Sequence, residues 1–288
     1  MTDSTNRAAR TPRATAARAA GTTRPATTPR TRTAGSRRPS GPVTLAFDIG
    51  GTGFKASVLD ATGKMLADRV RVATKYPCPP GAMIEALAAL AAPLPASDRI
   101  SAGFPGVVRD GKVRTAPHFV TKKGPGSAVD DDLLEAWTGF DLAGALSEQF
   151  HKPARVANDA DLQGLEVVSG TGLEMVVTLG TGVGTALFSG GRLAPHLELA
   201  HHPFRKGETY NEQLGAAALE HVGASKWRRR VREAIVNFRV LVNYDHLYLG
   251  GGNSGIMAGH VGDDVTITDN VAGILGGIKL WEHDAHGL

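Results

Sequence analysis

The sequence predicts an α/β protein built as two related lobes that face each other across a cleft. Two features predict this. The strand Leu45–Phe47 and the strand Met175–Leu179 each run into a glycine corner and out into a second strand, so one figure occurs twice. Between them the short strand Ala154–Ala157 ends in Asn158-Asp159, and strand ends of this kind are where α/β sheets gather ligand groups. With 288 residues, 42 % of them hydrophobic, the chain can fill two modest cores.

Charge divides the chain unevenly. Of 32 basic and 28 acidic side chains, nine arginines and one acid (Asp3) fall in residues 1–41, leaving 23 basic and 27 acidic in the rest. This leading segment has almost no large apolar residue, so it cannot bury enough surface to fold. Its Arg-rich, acid-poor composition is that of a transit peptide, but Pro12, Pro25 and Pro29 interrupt any amphipathic helix. Two readings stand: a disordered extension, or a polycation that gathers a polyanion such as polyphosphate or nucleic acid. Cys78 is the only cysteine, which excludes a disulfide framework and a cysteine-rich zinc site and suits a reducing cytoplasm. No run nears the ~20 apolar residues of a membrane span.

The first corner lies in LAFDIGGTGFK (Leu45–Lys55). It places Asp48 at a strand end, Gly50, Gly51, Thr52 and Gly53 in the turn, and Lys55 just beyond. Consecutive glycines open backbone conformations in which several N–H groups converge on one anion. A carboxylate beside such a turn can hold magnesium against phosphate oxygens. A tight hairpin with no ligand is the plain alternative. The strand Lys55–Leu59 and another near Met65–Val72 complete a meander. Pro79 and Pro80 open a helix to about Ala92, with Met83, Ile84, Leu87 and Leu90 as its apolar stripe. Ile100–Phe104 is a strand leading to Pro105-Gly106, where backbone can approach a ligand closely. Residues 108–132 read as loop-rich, and Leu142–Phe150 as helix. At Asn158-Asp159 a carboxylate beside an amide suits either a general base acting on an alcohol or a helix cap.

The second corner is Gly180-Thr181-Gly182-Val183-Gly184, followed by the strand Thr185–Phe188. Two phosphate turns approaching from opposite sides are a more specific signal than either alone. Glu198 and His201, three apart, suit a polyol: the carboxylate accepts from two hydroxyls and the imidazole joins it. A surface ion pair is the other reading. Residues 209–243 read as helical, with Trp227, Val231, Ile235, Phe238 and Val242 on one face and Arg228, Arg229, Arg230 and Arg232 off it. That basic run is a solvated face or a track for an extended anion. His246–Leu249 meets Gly250-Gly251-Gly252-Asn253-Ser254-Gly255, formally a dinucleotide fingerprint with Asp269 beyond it. Its helix, Ile256–Asp264, is too short for that unit, and a turn admitting adenine or another flat donor group fits as well. A helix from about Asn270 to Trp281, capped by Asp269 or Asn270, closes the chain.

Taken together, DIGGTGFK (48–55), ND (158–159), LGTGVGT (179–185), ELAH (198–201) and GGGN (250–253) resemble the ROK family of sugar kinases, over roughly residues 43–282. The likeness is greatest to its polyphosphate-using branch. The resemblance implies an actin-like ATPase (ribonuclease H-like) fold of two α/β domains with a central cleft. One domain is then 42–160 plus 268–288, with the C-terminal helix packing back on it; the other is 161–267. It implies a hexose kinase that moves a phosphoryl group from ATP or inorganic polyphosphate to the 6-hydroxyl of glucose. Asp159 is then the general base, and Asn158, Glu198, His201 and Gly106 hold the sugar. Gly50, Gly51, Thr52, Gly53, Lys55, Gly180, Thr181, Gly182, Gly184, Gly251 and Gly252 cradle the donor, and Asp48 positions Mg²⁺. No zinc is expected. The expected form is a cytoplasmic homodimer, with polyphosphate along Lys226–Arg232, no membrane contact and no specific nucleic-acid partner.

Two alternatives follow from the same resemblance. One is a kinase for mannose, fructose or an N-acetylhexosamine. The other is a sugar-sensing regulator, whose helix-turn-helix finds no counterpart in the proline-broken residues 1–41. Three departures bear on the sugar: Ala200 stands where the family's ExGH has glycine, His118 where the branch has asparagine, and the loop through Val129 is longer.

Overall fold

The computed structural model describes residues 41–268 and 272–282; the basic segment 1–40 lies outside them. β1 (Thr44–Gly50) and β2 (Gly53–Leu59) form an antiparallel hairpin whose turn is Gly51-Thr52. Its register sets Gly50 opposite Gly53 and Asp48 opposite Lys55. β3 (Val70–Val72) follows, then α1 (Pro80–Ala91), which starts with proline at its first position and buries Met83, Ile84, Leu87 and Leu90. β4 (Arg99–Phe104) precedes a small ribbon, β5 (Val108–Arg109) and β6 (Lys112–Val113).

Residues 108–132, expected as loop-rich, carry some regular structure. Besides the ribbon, α2 (Asp131–Trp137) begins inside them, capped by Asp130, whose carboxylate accepts from the N–H groups of Asp132 and Leu133. α2 exists because Trp137 is buried, its indole N–H donating to the Cys78 carbonyl at 3.0 Å and its ring packed on Phe104 and Phe119. α3 (Leu142–Phe150), β7 (Ala154–Asn158) and α4 (Asp159–Val167) complete the first half.

The second half repeats the figure. β8 (Leu173–Leu179), β9 (Val183–Ser189) and β10 (Arg192–Leu193) form a meander. The ribbon β11 (Pro203–Arg205) and β12 (Glu208–Thr209) leads to α5 (Tyr210–Leu214) and α6 (Ala216–Val242). α6 is broken at Gly223, with φ 77° and ψ 157°, so the expected single helical stretch of 209–243 is three pieces. β13 (His246–Gly250) and β14 (Val265–Ile267) follow. No helix forms over Ile256–Asp264; a single 3₁₀ turn at Ser254–Met257 gives way to irregular chain in which Gly259 has φ 71°. That removes the helix a dinucleotide fingerprint requires.

The two sheets have matching orders, β3-β2-β1-β4-β7 and β10-β9-β8-β13-β14, each with an antiparallel hairpin joined to parallel strands. α7 (Ala272–Lys279) follows the second sheet but packs on the first and on α4. The expected caps Asp269 and Asn270 lie outside the described residues. Gly277 O accepts from the Ser101 hydroxyl on β4, the Trp281 indole donates to the same Ser101 oxygen at 2.8 Å, and Arg99 and Arg155 stack over the Trp281 ring. No described helix is long and apolar enough to cross a membrane.

The contact between α4 and α7 is close because of glycine. A Cβ on Gly276 would stand 1.7 Å from the Leu162 carbonyl oxygen, whereas one on Gly81 in α1 would meet nothing within 4 Å. Gly276→Ala is therefore expected to destabilise the protein by about 1–3 kcal/mol through overpacking. Gly81→Ala should stabilise it by about 0.4–1 kcal/mol by restricting the unfolded chain. Urea unfolding midpoints of the two variants check both signs.

Candidate active site

Each hairpin turn points into one cleft of about 330 Å³. Its walls include Gly50, Gly51 and Thr52 from the first turn and Gly180, Thr181, Gly182 and Gly184 from the second. Gly106, Asn158, Asp159, Glu198, His201, Gly251 and Gly252 complete the set that the sequence singles out. Asp48, Gly53 and Lys55 do not line it.

Glycine works in these turns through space, not through unusual φ. None of Gly50, Gly51, Gly53, Gly180, Gly182 and Gly184 lies in the left-handed region. A Cβ on Gly51 would come within 2.9 Å of the His118 ring, and one on Gly184 within 2.6 Å of Thr178 Oγ1. The first turn is braced by the Thr74 hydroxyl donating to Gly50 O and the Tyr76 hydroxyl donating to Gly51 O, both at 2.7 Å. In the second turn several N–H groups are already engaged: Gly180 donates to Gly182 O, Val183 to Asn211 Oδ1 and Gly184 to Thr178 Oγ1. No hydrogen bond among the described residues engages the N–H of Gly51, Thr52, Thr181 or Gly182. These four N–H groups stay open to a ligand, whereas those of Gly180 and Gly184 are spent within the turn.

Lys55, expected on the donor, forms an ion pair with Asp48, Nζ to Oδ2 at 2.6 Å, because the hairpin register sets them opposite one another. Gly53 lets β3 approach; its Cβ would lie 3.0 Å from Val72 O. Asn158 caps α4, its Oδ1 accepting from Ala160 N at 2.8 Å while its Nδ2 donates to Gly106 O at 3.1 Å. One amide N–H stays available to a ligand. Gly106 admits no side chain, since a Cβ would fall 2.1 Å from Thr115 O.

Asp159, the first residue of α4, has no ion-pair partner among the described residues. Burial, then the charge of Asp48, and further off those of Asp161 and Glu198, push its carboxyl up to about 7. Around it lies a chain of paired groups that the motifs did not reveal. His196 is buried and donates from Nδ1 to Asp161 Oδ1 at 2.9 Å, while its Nε2 faces Glu198 Oε1 at 3.5 Å. Glu198 Oε2 in turn lies 3.7 Å from His201 Nε2. Burial opposes a charge on His196, but Asp161 and Glu198 outweigh it and hold the imidazole up to about 10. Burial likewise works against Glu198, yet His196 and His201 hold its carboxyl below the usual range. Asp161 is raised by burial, with His196 pulling the other way. His118, beside Gly51, is lowered by burial and by His201. Gln163, Thr178 and Asn211 also line the cleft without any signal in the motifs.

Two sheets of one topology, each turning a hairpin into a shared cleft, define the actin-like ATPase fold. Residues 44–196 match the ROK family, and the chain belongs to it. It is 28 % identical over 220 residues to the polyphosphate glucokinase of Mycobacterium tuberculosis (strain H37Rv), covering 73 % of this chain and 77 % of that one. An N-acetylmannosamine kinase of Escherichia coli (strain SE11) is 32 % identical over 155 residues, 52 % of this chain and 48 % of its own. Among solved structures, the inorganic polyphosphate/ATP-glucomannokinase of Arthrobacter sp. strain KM superimposes with a TM-score of 0.70 at 28 % identity, covering 85 % of this chain and all of that one.

The raised pKa of His196 carries a sign. Relative to an ordinary value of 6.5, the folded state holds the proton up to about 10, so its stabilisation is complete below 6.5 and lost as pH rises through 10. Wild type is expected to lose stability across that window by on the order of a few kcal/mol more than His196→Gln does. Urea unfolding of both proteins from pH 6 to 10 measures the difference, and parallel profiles would refute it.

Proposed function

We propose that the chain is a hexose kinase that transfers the terminal phosphoryl group of polyphosphate or ATP to the 6-hydroxyl of glucose. The observation that carries this is Asp159: an unpaired carboxyl, titrating near neutrality, in a cleft shared by both glycine turns and by Glu198 and His201. Asp159 accepts the proton of the attacking hydroxyl. Glu198, His201 and the remaining N–H of Asn158 hold other hydroxyls of the sugar. The N–H groups of Gly51, Thr52, Thr181 and Gly182 hold the donor phosphates, and Gly251 and Gly252 border the donor's far end. Phosphoryl transfer asks mainly for this kind of positioning and for charge neutralisation.

The acidic side of the cleft fits magnesium, since Asp48 and Asp159 repel one another and Lys55 engages only one oxygen of Asp48. Asp48 would hold the ion together with donor phosphate oxygens, and the ion would neutralise charge on them. We assign residues 42–160 plus 268–288 to one domain and 161–267 to the other, with the cleft between; Asp269–Val271 and 283–288 lie outside the described residues. Similarity to a polyphosphate glucokinase and to a polyphosphate/ATP-glucomannokinase supports the choice of donors. Of the basic run on α6, Lys226, Arg229 and Arg232 are exposed, whereas Arg228 and Arg230 are half-buried and Arg230 donates to Gln213 O. The polyphosphate track is therefore narrower than the sequence implies. The similarity to an N-acetylmannosamine kinase and the histidine at 118 favour a second reading, in which the acceptor is another hexose.

Asp159→Ala should lower kcat for glucose phosphorylation at least ~10²-fold while leaving glucose affinity largely intact, measured by coupled assay and calorimetry. A variant that keeps the wild-type rate would refute the base. Sugar binding by wild type without turnover from either donor would instead mark a regulator. The paired substitution Arg229→Ala/Arg232→Ala should raise KM for polyphosphate several-fold at low salt and leave KM for ATP unchanged. Equal KM values in variant and wild type would remove the track.

A further inference from the structure

We propose that His196, oriented by Asp161, is a specificity-determining residue that donates a hydrogen bond from Nε2 to a substrate hydroxyl seated between it and Glu198. The inference rests on the sugar-kinase reading of the cleft and names one contact within it.

The observation is an orphan. His196 Nε2 is buried and has no hydrogen-bond partner, although the residue lines the cleft. Its neighbour Glu198 Oε1, at 3.5 Å, is within ion-pair range but beyond an ordinary hydrogen bond. A buried donor left unsatisfied costs roughly 1–3 kcal/mol, and native proteins seldom keep one without a use. The ring cannot turn to relieve it, because Nδ1 is committed to the buried Asp161 carboxylate at 2.9 Å. Asp161 is fixed in turn by its place in the first turn of α4, two residues after Asp159. With both ring nitrogens protonated, as the upward shift of His196 supports, Nε2 can only donate.

The chemistry of the occupant follows from the two groups that flank it. A carboxylate on one side only accepts, and an imidazolium nitrogen on the other only donates. The atom between them must do both, which is what a hydroxyl does. An amide nitrogen, as in an acetamido group, donates but does not accept, so it would leave Nε2 unsatisfied. At this one carbon the cleft therefore selects a plain hydroxyl over an N-acetyl substituent.

The test is binding of glucose and its four ring mono-deoxy analogues to the full chain, by calorimetry, with no phosphoryl donor present. Hydrogen bonds to charged groups contribute about 1.5–3 kcal/mol, or roughly 10- to 150-fold in affinity. Wild type should bind one mono-deoxy analogue at least ~10-fold more weakly than glucose. The double variant His196→Leu/Asp161→Asn, which leaves no orphan carboxylate, should bind glucose more weakly by a similar factor and no longer distinguish that analogue. His196→Gln, which keeps an N–H donor, should recover part of the discrimination. Urea unfolding confirms that each variant is folded, and a destabilised double variant is replaced in the comparison by His196→Gln. If the folded variants discriminate among the analogues as wild type does, His196 serves only the ion pair and the inference is overturned while the kinase reading stands. If wild type binds neither glucose nor any analogue, the glucose reading falls and takes this contact with it.

Discussion

Four carboxylates stand in or beside one cleft, and the rest of the site depends on how their charge is distributed. Three have a cationic partner. Asp48 is paired with Lys55, Asp161 with His196, and Glu198 lies between His196 and His201. Asp159 alone among them has no such partner among the described residues, and its carboxyl is accordingly the one pushed up to about 7. Pairing is thus selective. It leaves three carboxylates in fixed pairs and one as a group that can gain and lose a proton near neutral pH.

The duplicated topology explains why so few residues suffice to build the cleft. In each half the hairpin lies inside the sheet beside the parallel strands, and the turns of both hairpins line one cleft. Each turn is then stiffened from outside its own hairpin. Thr74 and Tyr76 reach the first from beyond β3, while Asn211 on α5 and Asn253 after β13 reach the second. The bracing consumes carbonyls in the first turn and both carbonyls and N–H groups in the second. What remains free is a small number of N–H groups at each tip, held in place by side chains distant in sequence.

Local signals carried most of this architecture, and long-range register carried what they missed. The strands flanking both glycine corners, α1 with its four-residue stripe and α3 were legible because period and punctuation coincide there. α2 was hidden because its reason to exist is one tryptophan whose partner is Cys78, 59 positions away. The pairing of Lys55 with Asp48 was not legible because it depends on hairpin register, which a turn motif does not state. The glycine clusters make room for His118, Thr178 and Val72, neighbours that the clusters themselves do not name. His196 offered no signal at all. A lone histidine two residues before a recognisable motif looks like any other until Asp161, 35 positions earlier, is beside it.

α4 ties these levels together. Its first turn carries Asp159 and Asp161, so the carboxyl raised toward neutrality and the residue that fixes His196 share one element. One flank meets the second sheet, where a Cβ on Gly164 would fall 2.3 Å from the Phe188 ring and one on Gly184 2.9 Å from Ala160. The other flank meets α7 at Gly276, and α7 in turn is fastened to β4 through Ser101. A helix packed this tightly on both sides cannot follow one sheet without straining its contact with the other. The carboxyl of Asp159 is therefore carried by an element that both sheets hold in place.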